Sequence, residues 1–112
     1  MNDNSQLFKG TLTTVVLKLL NDNKKMYGYE ITRKVKELTN GNIQLTEGAL
    51  YPALHKLEAD GLIESSIELA GNRQRKYYHL TKTGKKEIKL KLADFSSFIA
   101  DIQNILNLKP SL

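Results

Sequence analysis

Cysteine is absent from the 112 residues. Disulfides and thiolate metal sites are therefore excluded, which fits a reducing compartment. Long apolar runs are missing too. The chain's runs reach the length of Val15-Val16-Leu17, against the roughly 20 residues that a membrane helix needs. Met1 to Gln6 carries no cationic n-region, and no small-residue cleavage site follows an apolar stretch. There is no internal repeat, no low-complexity segment and no Gly-rich phosphate loop. No nucleophile is paired with a base, and no second His or Cys stands at ligand spacing from His55. Glu30, Glu47 and Glu58 read as helix charges. These absences point to a soluble cytoplasmic protein that is not an enzyme, needs no cofactor and makes no membrane contact.

The length is that of one domain, and small domains often gain stability by oligomerising. The formal net charge is +5, unevenly distributed. Residues 1–69 balance at −1, with eight Lys/Arg against nine Asp/Glu. Residues 70–91 carry Arg73, Arg75, Lys76, Lys82, Lys85, Lys86, Lys89 and Lys91 against Glu87 alone, a balance of +7. A concentrated cationic block attracts phosphate through counterion release; alone it can equally be a solvated face.

Apolar residues recur at helical spacing from Leu7 to Leu20 and predict a first helix over residues 6–21. Tyr27, Ile31, Val35 and Leu38 mark a second helix, stopped by Asn40-Gly41-Asn42. Thr46 is placed to cap a third helix carrying the stripe Leu50, Leu54 and Leu57. Pro52 lies inside it, where a local distortion is expected rather than a break. Gly61 ends it. Residues 62–69 and 75–80 read as two strands joined by Ala70-Gly71-Asn72. A short extra strand is conceivable near residues 43–45. In the last helix Ile88, Leu92, Phe95, Ile99, Ile102 and Leu106 repeat at intervals of four and three, the spacing of a helix packed along another helix. Phe98 and Ile105 widen the stripe and Pro110 closes it.

The third helix, the hairpin and the basic block together make a nucleic-acid reading. At 100° per residue, Gly48, Pro52, His55 and Ala59 lie opposite the leucine stripe, flanked by Tyr51 and Lys56. Small residues let a helix approach base edges; Tyr51, His55 and Lys56 can reach phosphates or bases. The alternative for Tyr51 is a place on top of the core. Arg73, Arg75 and Lys76 give the hairpin a cationic tip suited to phosphate. Tyr77 and Tyr78 read as packing across the hairpin.

Four motifs stand in one order: Tyr27-Gly28-Tyr29-Glu30-Ile31, Glu47 to Leu54, Leu57 to Ile63, and Arg73 to Tyr78 with Leu80-Thr81 and Gly84. Together they resemble the PadR family of bacterial transcriptional regulators over residues 7 to about 90. The resemblance implies a winged helix, a homodimer held by the C-terminal helix, and usually repression. It also implies effectors ranging from phenolic acids to cationic drugs. The single C-terminal helix is similar to that of the small branch, which includes multidrug-sensing repressors. In those an aromatic residue of the last helix stacks on the drug between subunits. The matching position is Phe95, where the drug-sensing relatives carry Trp, so Phe95 is either a stacking residue or ordinary seam packing.

The expected fold is mainly α with a small β-hairpin: a winged helix-turn-helix over residues 1–82 and a dimerisation helix over 83–112. The expected function is that of a homodimeric regulator, a repressor, on an inverted-repeat operator in double-stranded DNA, released by a small hydrophobic or aromatic effector. The expected DNA contacts are Thr46, Gly48, Tyr51, Pro52, His55, Lys56, Arg73, Arg75 and Lys76. The expected dimer seam is Ile88, Leu92, Phe95, Ile99, Ile102 and Leu106, and an effector would meet Phe95 and Phe98. The alternative is a winged helix used as a protein-interaction module.

Overall fold

The computed structural model describes residues 8–108. Along the chain run α1 (Leu12–Asp22), β1 (Met26–Tyr27), α2 (Gly28–Leu38), α3 (Glu47–Ala59), β2 (Ile63–Ala70), β3 (Arg73–Leu80) and α4 (Lys82–Leu106). The fold is mostly helical, with one small antiparallel sheet in the order β1-β3-β2. The extra strand is thus Met26–Tyr27, not residues 43–45, which have no strand pairing. Met26 pairs with Tyr78 and Tyr27 with Tyr77, so β1 fastens the hairpin to the start of α2.

The first helix differs from its expected span. Phe8 and Lys9 are helical, but a turn at Gly10-Thr11 separates them from α1. Thr11 closes that turn by donating its N–H and its hydroxyl to the Phe8 carbonyl, at 2.9 and 2.8 Å. Leu7, Lys109 and Pro110 lie outside the described residues. The helix stop assigned to Pro110 is reached earlier: α4 ends at Leu106, with Asn107 in the left-handed region at φ 57°.

The core is where the apolar stripes meet. Val16, Leu17 and Leu20 of α1, Ile31 and Val35 of α2, and Leu50, Leu54 and Leu57 of α3 close over Ile63, Tyr78 and Leu80 of the sheet. Leu38 drops out of its stripe and is 67 % exposed, because α2 ends there and the chain turns away through Asn40 and Gly41 at positive φ. Helix α3 starts on its expected cap, with Thr46 Oγ1 accepting from the Ala49 N–H at 3.2 Å. It continues unbroken through Pro52. A two-residue turn, Gly71-Asn72, joins β2 to β3, with Gly71 at φ +66°. Positive φ at the first turn residue suits the twist of a tight hairpin.

Helix α4 is clasped to the end of α3. Gly61 turns the chain at φ +76°. The Thr81 N–H donates to the Leu62 carbonyl at 3.1 Å, and the Thr81 hydroxyl donates to the Gly61 carbonyl at 2.7 Å. That hydroxyl oxygen also accepts from the Gly84 N–H at 3.0 Å, capping α4. Gly84 and Ile88 then sink into the core. Ile88 is 0 % exposed within a single chain. Its place in the expected dimer seam is therefore corrected: the side chain is already enclosed by its own subunit and has no face to offer a partner.

Candidate nucleic-acid interface

Helix α3 buries Leu50, Ala53, Leu54 and Leu57 and leaves Thr46, Gly48, Tyr51, Pro52, His55, Lys56 and Ala59 exposed. Along the exposed side, Gly48, Pro52, His55 and Ala59 form a low strip. Tyr51 borders it towards the hairpin. Lys56 borders it on the other side, 3.5 Å from Asp60.

The sequence-predicted residues split between this strip and a cleft. Tyr51, Arg73, Arg75 and Lys76 come together in an open cleft of about 600 Å³ between α3, the start of α2 and the hairpin. Tyr27, Gly28, Tyr29, Glu47, Gln74 and Tyr78 complete its lining. Thr46, Gly48, Pro52, His55 and Lys56 are not part of it. Sequence reasoning did not single out Tyr29, Gln74 or Glu47 as surface contacts. For Tyr29 a signal existed: it lies off the stripe of Ile31 and Val35, and it is 55 % exposed.

Gly28 decides where Tyr51 lies. A Cβ at residue 28 would stand 2.9 Å from the Tyr51 hydroxyl oxygen. With glycine there, the Tyr51 ring reaches across the first turn of α2. Tyr51 is 39 % exposed, so it packs and also presents surface. Tyr78 is the buried floor of the cleft. Burial, and then the nearby Glu58 and Tyr51, push its hydroxyl above the usual tyrosine range. It stays a neutral phenol at any ordinary pH.

On β3, Arg73, Arg75, Tyr77 and His79 alternate with Gln74, Lys76, Tyr78 and Leu80, and only the inner end of the second set is buried. The Arg75 guanidinium lies 4.3 Å from the centre of the Tyr27 ring, and the Lys76 ammonium 5.6 Å from that of Tyr78. Arg73 and Lys76 are exposed, whereas Arg75 is half-buried. His79 stands across from Glu64, with Nε2 3.9 Å from its carboxylate.

The +7 block is contiguous in sequence but divided in space. Arg73 pairs with Ala70 at the hairpin tip, and Leu80 pairs with Ile63 at its base. At about 3.3 Å per residue, tip and base are roughly 23 Å apart. Arg73, Arg75 and Lys76 are at the tip end. Lys82, Lys85, Lys86, Lys89 and Lys91 are on α4, which starts beside the base. Only the first three line the cleft beside Tyr51 of α3.

The rest of α4 is exposed on nearly all sides. Leu92, Phe98, Ile99, Ile105 and Leu106 are exposed, and Phe95 and Ile102 are half-buried. Phe95 and Phe98 meet edge to face with ring centres 6.5 Å apart. Among the described residues, no helix is long and apolar enough to cross a membrane, and no three His, Asp or Glu side chains are grouped to hold a metal.

Comparison with known proteins gives the same architecture. The family model described as the transcriptional regulator PadR-like family matches residues 16–90. An uncharacterized protein X of Lysinibacillus sphaericus is 30% identical over 105 residues, covering 93% of this chain and 92% of the relative. A transcriptional regulator from Clostridium thermocellum superposes with a TM-score of 0.81 at 29% identity, over 92% of this chain and 97% of the other. A PadR family transcriptional regulator from Eggerthella lenta superposes with a TM-score of 0.75 at 29% identity, over 93% and 88%. With the match running from α1 into α4, and the likeness in structure reaching nearly the whole chain, the protein belongs to the PadR-like family of transcriptional regulators.

Proposed function

We propose that two copies of this protein bind an inverted-repeat operator in double-stranded DNA and repress transcription in the cytoplasm. Each subunit inserts α3 into a major groove through Gly48, Pro52 and His55. Thr46, Tyr51 and Lys56 border the groove, and the wing reaches the flanking phosphates through Arg73 and Lys76. The observation that carries this reading is the low exposed strip of α3 beside a cationic cleft. A helix without bulky side chains on one face can approach base edges, and cations beside it hold the backbone. The reading unit is the part of the chain before α4, and α4 is the dimerisation helix. The seam is formed by Leu92, Phe95, Ile99, Ile102 and Leu106, and a hydrophobic or aromatic effector would insert where Phe95 and Phe98 approach the second subunit.

The test is a titration of promoter DNA at several salt concentrations. Each phosphate contact contributes about 0.9 to the slope of log affinity against log salt. Arg73→Ala with Lys76→Ala therefore lowers the slope by about 1.8. A protein-interaction module would show no such slope in the wild type, and an unchanged slope in the variant would take the wing off the phosphates.

His55→Ala separates surface from core. His55 is exposed on α3. Its loss leaves folding stability within about 0.5 kcal/mol, as for other surface changes. Operator affinity falls by roughly 1–3 kcal/mol if the imidazole meets a base. A lowered melting temperature with unchanged affinity would assign His55 to the fold instead.

A further inference from the structure

The wing overhangs the domain. From the Ile67–Lys76 pair outwards no residue of either strand is buried, and Ile67 and Leu69 are 61 % and 75 % exposed. Pairing between β2 and β3 keeps the hairpin straight but does not set its angle to the helices. Among the described residues, the strand that ties it to α2 is β1, two residues long. Something else must hold the tip.

Side chains on the outer face do so. The Arg33 guanidinium lies 6.0 Å from the centre of Tyr29, Tyr29 stacks at 6.4 Å on Tyr27, and Arg75 covers Tyr27 at 4.3 Å. Two rings from the start of α2 are thus held between two guanidinium groups, one on α2 and one on the wing. A planar guanidinium is attracted to an aromatic face and stacks on it with little loss of freedom. Tyr77 meets Tyr27 edge to face at 5.4 Å, and the Lys25 ammonium lies 4.9 Å from the centre of Tyr77. Lys25 also ion-pairs with Glu68 of β2.

We propose that Arg75 is a positioning residue: clamped on Tyr27, it sets the wing's angle to α2, so that Arg73 and Lys76 meet the phosphates together. This rests on the DNA-binding reading, but the clamp can be tested without DNA. In the free protein, the ring current of Tyr27 shifts the Arg75 side-chain proton resonances upfield. Tyr27→Phe keeps the shift and Tyr27→Leu abolishes it. Unshifted Arg75 resonances in the wild type would overturn the clamp.

On DNA the expected signature is unusual, because an uncharged substitution changes a charge-dependent quantity. Tyr27→Leu lowers the salt slope by about 0.9 for each of Arg73 and Lys76 drawn from its phosphate. Tyr27→Phe restores the wild-type slope. A full slope in folded Tyr27→Leu would overturn the proposal. Should that variant not fold, Arg75→Leu, a strand substitution, decides. A fall of about 1.8 or more supports positioning, and a fall of about 0.9 makes Arg75 a single phosphate contact. A wild type with no slope at all would sink the DNA reading while the resonance test still judged the clamp.

Discussion

Gly84→Ala destabilises the protein by about 3 kcal/mol, at the upper end of what overpacking costs. A Cβ at residue 84 would stand 2.0 Å from the Leu62 carbonyl oxygen and 3.0 Å from its carbon. That carbonyl is backbone, and it is held by the Thr81 N–H. It cannot swing aside as a side-chain tip could. Either α4 moves off the core and takes Ile88 with it, or the clasp through Thr81 opens. A thermal melt at fixed protein concentration should show a midpoint lower by roughly 15 °C. Gly48→Ala is the control. Its nearest neighbour would be the Thr46 hydroxyl oxygen at 3.9 Å, an ordinary contact. Alanine in a helix there stabilises by about 0.4–1 kcal/mol. In the proposed interface, however, the added methyl faces the bases. Gly84→Ala should therefore lose stability, and Gly48→Ala should gain it while losing operator affinity. A wild-type melt for Gly84→Ala would show that α4 is free to shift at its start.

In the proposed dimer, Ile99→Glu with Leu106→Glu separates the two subunits. Helix α4 has 25 residues and spans about 37 Å. Only its first two turns are enclosed by the chain's own core, through Gly84 and Ile88. Beyond them Ile99 and Leu106 stay 46 % and 59 % exposed. Each large side chain of this kind contributes roughly 1.5–3 kcal/mol when fully buried, which a second subunit can supply. Charges at two seam positions cost little in one chain, where both are wet, and a great deal between two. Sedimentation should show the mass falling from twice 12.7 kDa to 12.7 kDa. Operator affinity should fall roughly 10²–10⁴-fold, because each half-site then binds alone. A variant that still sediments as a dimer would move the interface elsewhere on the molecule.

The elements legible in the sequence are those governed by neighbours. The stop of α2 at Asn40-Gly41, the cap of α3 at Thr46, the turn at Gly61 and the hairpin turn at Gly71-Asn72 all follow from residue types at short spacing. The same is true of the leucine stripe of α3, and hence of which residues it leaves outside. A period of 3.6 and a left-handed turn residue act over a few positions, whatever the rest of the chain does.

What escaped the sequence depends on residues far apart in it. Strand β1 exists only because Tyr77 and Tyr78 arrive beside Met26 and Tyr27. Two residues carry no pattern of their own. Ile88 and Leu92 share one stripe in the sequence, yet Ile88 lies where the core still reaches and Leu92 where it has ended. The basic block is one run of chain, but a hairpin sends its first three cations to the tip and leaves the others at the base. Arg75 reads as one more cation until the fold sets Tyr27 beneath it. Periodicity and capping fixed the elements and their faces; the close approach of Tyr27 to the wing, and of Leu62 to Gly84, came from packing those faces together, because such contacts join segments that no local spacing relates.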